Sequence, residues 1–148
     1  MKSWQIKLAI TNCENQIRAN CLSIKKAEKN YESLTSFRSN VNSYQADFVT
    51  GNAGKSQALD AVFSISGDCD AALRYYRGMK NLMDRNGEKI VNVLLERLLH
   101  STRESMQDNL DEIAELESTN QRIQREIDRL KRELKIAEMN EAFADANE

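Results

Sequence analysis

The sequence predicts an all-α fold, an elongated antiparallel helical hairpin or coiled coil with long first and last helices and a broken middle region. In the first and last thirds of the chain, apolar residues recur at alternating steps of three and four, which is the spacing of a heptad repeat. The chain has no proline and only 5 glycines, so few helix breaks are forced. No stretch alternates with a period of two. Its 148 residues predict a single domain.

The first predicted helix covers residues 3–49, with Ser3 as its N-cap. One face of this segment is mostly apolar, whereas the intervening positions are mostly polar. We define this face as the first seam, which contains Ile6, Ile10, Cys13, Ile17, Asn20, Ile24, Ala27, Tyr31, Leu34, Arg38, Val41, Gln45 and Phe48. Such a stripe must be covered by another helix.

A glycine turn is predicted at residues 50–54, where Gly51 and Gly54 stand three apart and the chain is expected to reverse. For residues 55–85, the spacing of apolar residues then predicts a middle helical region of one or two helices. Its weak points are Ser66-Gly67-Asp68, where Asp68 can cap the following helix, and Asn86-Gly87.

The last predicted helix covers residues 88–140 and is followed by a tail, residues 141–148, that is expected to fray. Its heptad stripe is defined here as the last seam, which contains Ile113, Leu116, Asn120, Ile123, Ile127, Leu130, Leu134 and Ala137. Antiparallel packing of the two long helices would bury both seams.

Asn20 and Asn120 are polar residues at seam positions. A polar residue there costs stability and can fix the register or the choice of partner. The alternative is that both residues lie near an open, hydrated end of the bundle. The sequence favours neither interpretation over the other.

A wide apolar face precedes the last seam, and two-helix packing covers only part of such a face. An uncovered apolar patch is typical of a protein interface, and tyrosine and methionine suit such contacts. The predicted protein interface comprises Tyr75, Tyr76, Met79, Ile90, Val91, Leu94, Leu95 and Leu98. The alternative is that the middle helix folds back and covers this face.

Composition argues against several other classes of protein. The formal net charge of −2, with acids and bases interspersed, lacks the basic stripe of a nucleic-acid binder. No apolar run is long enough for membrane insertion or a signal peptide. Cys13 and Cys21 are about 12 Å apart along a helix, too far for a disulfide. These features predict a reduced, cytoplasmic protein, whose export would need a route without a cleaved leader.

No catalytic, cofactor-binding or metal-binding residue is predicted. Gly54-Lys55-Ser56 matches only the end of a phosphate-binding loop, because Val49 replaces the first glycine and no strand precedes it. The single histidine, His100, has no predicted catalytic or metal-binding partner. We therefore expect a protein that is not an enzyme and needs no cofactor.

Several short segments together match a known family of helical proteins. They are Ser23-Ile24-Lys25-Lys26-Ala27-Glu28, Tyr31, Leu34, Val49-Thr50-Gly51, Ala58 and the series Ile113, Asn120, Ile123 and Ile127. With these residues, the layout resembles the YwqH-like family, small helical proteins encoded beside LXG toxins of type VII secretion systems in Gram-positive bacteria and distant relatives of the Esx/WXG hairpins. That family tends to carry Trp-x-Gly where this chain has Val49-Thr50-Gly51.

This resemblance implies a non-catalytic protein–protein interaction subunit. It would be a secretion-associated partner or targeting factor that pairs with the helical N-terminal region of an LXG-type toxin. The alternative function is a cytoplasmic homo-oligomeric coiled-coil scaffold or adaptor, of phage or mobile-element origin. In both cases the expected partner is a helical protein, either a different chain or a second copy.

Overall fold

The computed structural model of the chain describes residues 1–66, 70–81 and 87–146. These residues form three helices, α1 (Ser3–Ser66), α2 (Asp70–Asn81) and α3 (Gly87–Asp145). The three described ranges contain no strand. The predicted all-α fold with long first and last helices is confirmed, and the described part of the middle region contains one short helix, α2.

The predicted glycine turn at residues 50–54 is wrong, because α1 continues through Gly51 and Gly54 to Ser66. A glycine inside a helix costs only about 1 kcal/mol relative to alanine, and no proline is present to break the backbone hydrogen bonding. The described glycines have no positive φ angle, so they adopt ordinary helical geometry. Residues 55–66 therefore belong to α1.

Of the predicted middle region, 55–85, only α2 is a separate helix among the described residues. The expected weak point at Gly67 and Asp68, with its capping aspartate, lies outside the described residues, as do residues 82–86.

Helix α3 begins at Gly87, next to the predicted start, and the predicted fraying of residues 141–148 is wrong as far as Asp145. The carboxylate of Glu141 explains part of this order, because it binds the start of α1. Its two oxygens accept hydrogen bonds from the backbone N–H of Ser3 at 2.9 Å and from the Ser3 hydroxyl at 2.6 Å. These bonds hold the pKa of Glu141 below its usual value.

Ser3 was expected to cap α1 by accepting a backbone N–H, but its hydroxyl donates to Glu141 instead. The carbonyl of Lys2 accepts the N–H of Ile6 at 3.3 Å, which makes Lys2 the residue that precedes the helix. The start of α1 is therefore stabilised partly by a side chain from α3.

The chain, predicted to be one domain, groups into two compact units. Unit 1 comprises Met1–Glu32 and Gln107–Glu148, and unit 2 comprises Ser33–Met106. Each unit thus contains a segment of α1 and a segment of α3, and α2 belongs to unit 2.

The helix segments of unit 1 are antiparallel and pack through the two seams. Its core cluster consists of Ile6, Ile10, Ile123, Ile127 and Leu130. Lys7 and Glu138 form an ion pair across the same two segments at 2.7 Å. No residue of the first or last seam is exposed, so the burial predicted from the heptad spacing is confirmed.

In unit 2 the α1 and α3 segments are also antiparallel. Asn52 donates to Glu88 at 2.6 Å, and Gln45 donates to Glu96 at 3.2 Å. Among the residues of this unit whose burial is described, the buried ones are Val41, Leu99, Thr102 and Met106. Buried Thr102 is satisfied because its hydroxyl donates to the carbonyl of Leu98.

Helix α2 is joined to the end of α1 by a polar network centred on Asp60. The Tyr76 hydroxyl donates to Asp60 at 2.7 Å, and the Lys80 ammonium contacts both carboxylate oxygens at 2.9 Å and the Ser56 hydroxyl at 2.6 Å. The hydrogen bond from Tyr76 is the largest cause of a lowered pKa at Asp60, followed by that from Lys80. In this network, α2 lies antiparallel to the last turns of α1.

Candidate interaction surfaces

The two seam asparagines meet in unit 1. The amide nitrogen of Asn20 donates to the amide oxygen of Asn120 at 2.8 Å, and Asn120 in turn contacts the sulfur of Cys21 at 3.8 Å. Both asparagines are half-buried. A pair that satisfies itself in this way favours the register in which the two amides are opposite each other.

A double-mutant cycle tests whether this pair acts as a unit. Asn20→Leu and Asn120→Leu should each leave one amide opposite a leucine, whereas the double variant should restore a matched apolar pair. We expect the two effects on the free energy of unfolding to be coupled by about 1 kcal/mol, measured by urea denaturation of the four proteins. Additive effects would instead favour the interpretation of a hydrated bundle end.

The predicted interface residues divide into two groups, all of them in unit 2. Those with exposed side chains are Tyr75, Ile90, Leu94 and Leu98, and those that are half-buried are Tyr76, Met79, Val91 and Leu95. Leu95 is half-buried because it continues the heptad spacing of the buried Leu99 and Thr102. Tyr76 is engaged with Asp60.

Ile90, Leu94 and Leu98 form what we call the apolar stripe of α3. They are four residues apart, so they lie on one face of the helix. Leu94 is 56% exposed and Ile90 58% exposed, so α2 does not cover these side chains. Large apolar side chains grouped on one exposed face are typical of a binding surface.

Sequence reasoning missed Asn92, which lies at a seam position between Glu88 and Leu95. Its amide oxygen is buried and has no hydrogen-bond partner within the described residues. The signal was available, because the steps of three and four that lead to Ile113 continue upstream through Leu99 and Leu95 to Asn92. By contrast, no periodic pattern in the sequence indicates the interactions of Asp60 with α2.

The residues considered for other chemistry are distributed along the helices. Lys55 is exposed and lies inside α1, where backbone N–H groups are used by the helix and not free to bind phosphate. His100 is exposed beside Glu104, one turn away, at 3.3 Å. Cys13 and Cys21 are free thiols, and Cys69 is outside the described residues.

Within the described ranges, no cluster of three or more His, Cys, Asp or Glu side chains is placed to hold a metal ion. None of the helices in the same ranges has the length and apolar character needed to cross a bilayer.

Comparisons of the chain with models of protein families, with curated proteins and with solved structures find no match.

Proposed function

We propose that this chain is a non-catalytic helical subunit that binds another protein through the apolar stripe of α3. The exposure of Ile90, Leu94 and Leu98 on one face of a helix supports this proposal. Burying three such side chains is favourable by roughly 25 cal/mol for each Å² of apolar surface removed from water. Tyr75, on α2 in the same unit, is another exposed residue of the predicted interface, and tyrosine is enriched at binding hot spots.

The partner that suits this stripe is an amphipathic helix with apolar residues at the same spacing. Such a helix would lie along α3, as in helix-in-groove recognition, and pack its side chains between those of the stripe. The resemblance to the YwqH-like family extends the proposal to the helical N-terminal region of an LXG-type toxin, with the chain acting as a partner or targeting factor in type VII secretion.

Leu94→Glu is the variant that tests the proposed surface. A glutamate in the middle of the stripe would have to be buried without a partner in the complex, so binding should be lost. Helicity should be retained, because Leu94 is 56% exposed in the free protein. The measurement is co-purification from the native host, with circular dichroism of the purified variant.

Tyr44→Glu is the matched control, because Tyr44 is 61% exposed, belongs to the same unit and lies on α1. It introduces the same charge and should leave binding intact. Retention of the partner by Leu94→Glu would contradict the proposal, and unfolding of Leu94→Glu would assign the stripe to the core. If the only species captured is a second copy of the chain, the homo-oligomeric scaffold is favoured.

A further inference from the structure

A second surface lies on α3 in unit 1, on the face directed away from the seam. Its residues recur at steps of three and four, and every one is exposed. Arg125, for example, is two residues from both Ile123 and Ile127, and two residues turn about 200° around a helix. We call this surface the charged stripe; it contains Asp108, Asp111, Glu115, Ser118, Arg122, Arg125 and Arg129.

The charges of this stripe are separated by sign, with the acids before Ser118 and the arginines after it. Like charges three or four residues apart on a helix repel each other, and the stripe contains no acid and base at that spacing. Arg129 forms ion pairs with Glu126 and Glu133, which lie beside the stripe. None of the ion pairs within the described residues includes Arg122 or Arg125. Within the stripe itself, charges one turn apart therefore have the same sign.

We propose that the charged stripe joins two copies of the chain as an antiparallel, twofold-symmetric homodimer. In such a pairing, Asp111 of one copy is opposite Arg125 of the other, and Glu115 is opposite Arg122. Asp108 is opposite Arg129. In each of the three pairs, the position halfway between the two residues in the sequence is residue 118 or lies between residues 118 and 119, so one twofold axis serves all three pairs. The small Ser118 side chain lies at the axis and permits close approach of the helices.

The occupant is a second copy because the stripe is complementary to itself. A twofold interface brings the same patch of both subunits together, so a patch must carry both halves of each contact. Here the acids lie 3, 7 and 10 residues before Ser118 and the arginines lie 4, 7 and 11 residues after it, so the two halves match to within one residue. A parallel pairing would place like charges opposite each other, so the charges also select the antiparallel orientation.

Because these side chains are exposed, the association should depend strongly on ionic strength. The inference is independent of the partner proposed for the apolar stripe, which lies in unit 2. Dimerisation through that apolar stripe would instead be insensitive to salt and would be lost in Leu94→Glu.

Charge exchange on the full chain tests the dimer. One variant, Asp111→Arg with Glu115→Arg, makes the stripe entirely basic in its central part; the other, Arg122→Glu with Arg125→Glu, makes it entirely acidic. Neither variant should self-associate, but an equimolar mixture should form a heterodimer, because both halves of the interface are then complementary. Sedimentation velocity at low salt measures the species present.

Four further measurements complete the experiment. The variant carrying all four substitutions should again form a homodimer, and Lys131→Glu with Lys135→Glu, outside the stripe, should leave the wild-type dimer unchanged. The wild-type dissociation constant should rise at least about tenfold between low salt and about 1 M salt. Circular dichroism verifies that each variant is helical.

The proposal is overturned if the wild-type chain is monomeric at low salt, if either two-site variant dimerises as the wild type does, or if the mixture fails to associate while both components are folded.

Discussion

Ile127→Ala is expected to lower the free energy of unfolding by about 2–4 kcal/mol. Ile127 is only 2% exposed and belongs to the core cluster of unit 1, where it packs with Ile6, Ile10, Ile123 and Leu130. Removing its side chain beyond Cβ loses buried apolar area and leaves a cavity between two helices. Few neighbouring side chains can move to fill that cavity. Urea denaturation followed by circular dichroism measures the loss.

Ile136→Ala is the matched control, since it makes the same chemical change on the same helix and in the same unit. Ile136 is 60% exposed, so the expected change in unfolding free energy is within about 0.5 kcal/mol. Equal losses for the two variants would show that α3 does not present its 123–127–130 face to α1.

Leu99→Ala is expected to have a comparably large effect in unit 2, with a loss of about 2–4 kcal/mol. Leu99 is 2% exposed, and its neighbour Leu98, at 41% exposed, provides a control one residue away. Leu98→Ala should cost about 1 kcal/mol or less, because much of its side chain is already hydrated. Hydrogen exchange of the amides in residues 33–66 and 87–106 reports the change in this unit.

A larger loss for Leu98→Ala than for Leu99→Ala would contradict this assignment, because it would place the apolar stripe in the core and the predicted seam position at the surface. The comparison therefore checks the orientation of α3 on which the proposed binding surface depends.

The heptad spacing predicted the burial of the long helices well, since side-chain direction in a helix follows directly from position. Ile6, Ile10, Ile123 and Ile127 are all buried as the period requires. The pairing of Asn20 with Asn120 could be anticipated as a specificity device, but the hydrogen bond between them depends on the register of two segments 100 residues apart, which no local pattern supplies.

The incorrect sequence-based predictions have a common physical origin. Each relied on a local sequence signal, whereas tertiary contacts or the continuity of a helix determine the structure. Gly51 and Gly54 indicated a turn, but glycine only weakens a helix and does not prevent it. The composition of the tail after residue 140 predicts fraying, but Glu141 accepts a hydrogen bond from the backbone N–H of Ser3, which is distant in the sequence. The predicted interface combined Leu94 with Leu95, because a broad apolar run does not by itself show where the seam continues.

The hydrogen bonds between Ser3 and Glu141 also determine where anything attached to this chain would emerge. Because the start of α1 and the end of α3 are neighbours in unit 1, a tag, linker or further domain fused at either end departs from the same small region of that unit. Two fluorophores placed there would be close together, and a short linker would suffice to join the two ends in a circular permutant. The same proximity means that a bulky fusion at Met1 crowds the Glu141 carboxylate, so reporters for interaction studies are better placed at exposed positions within α1.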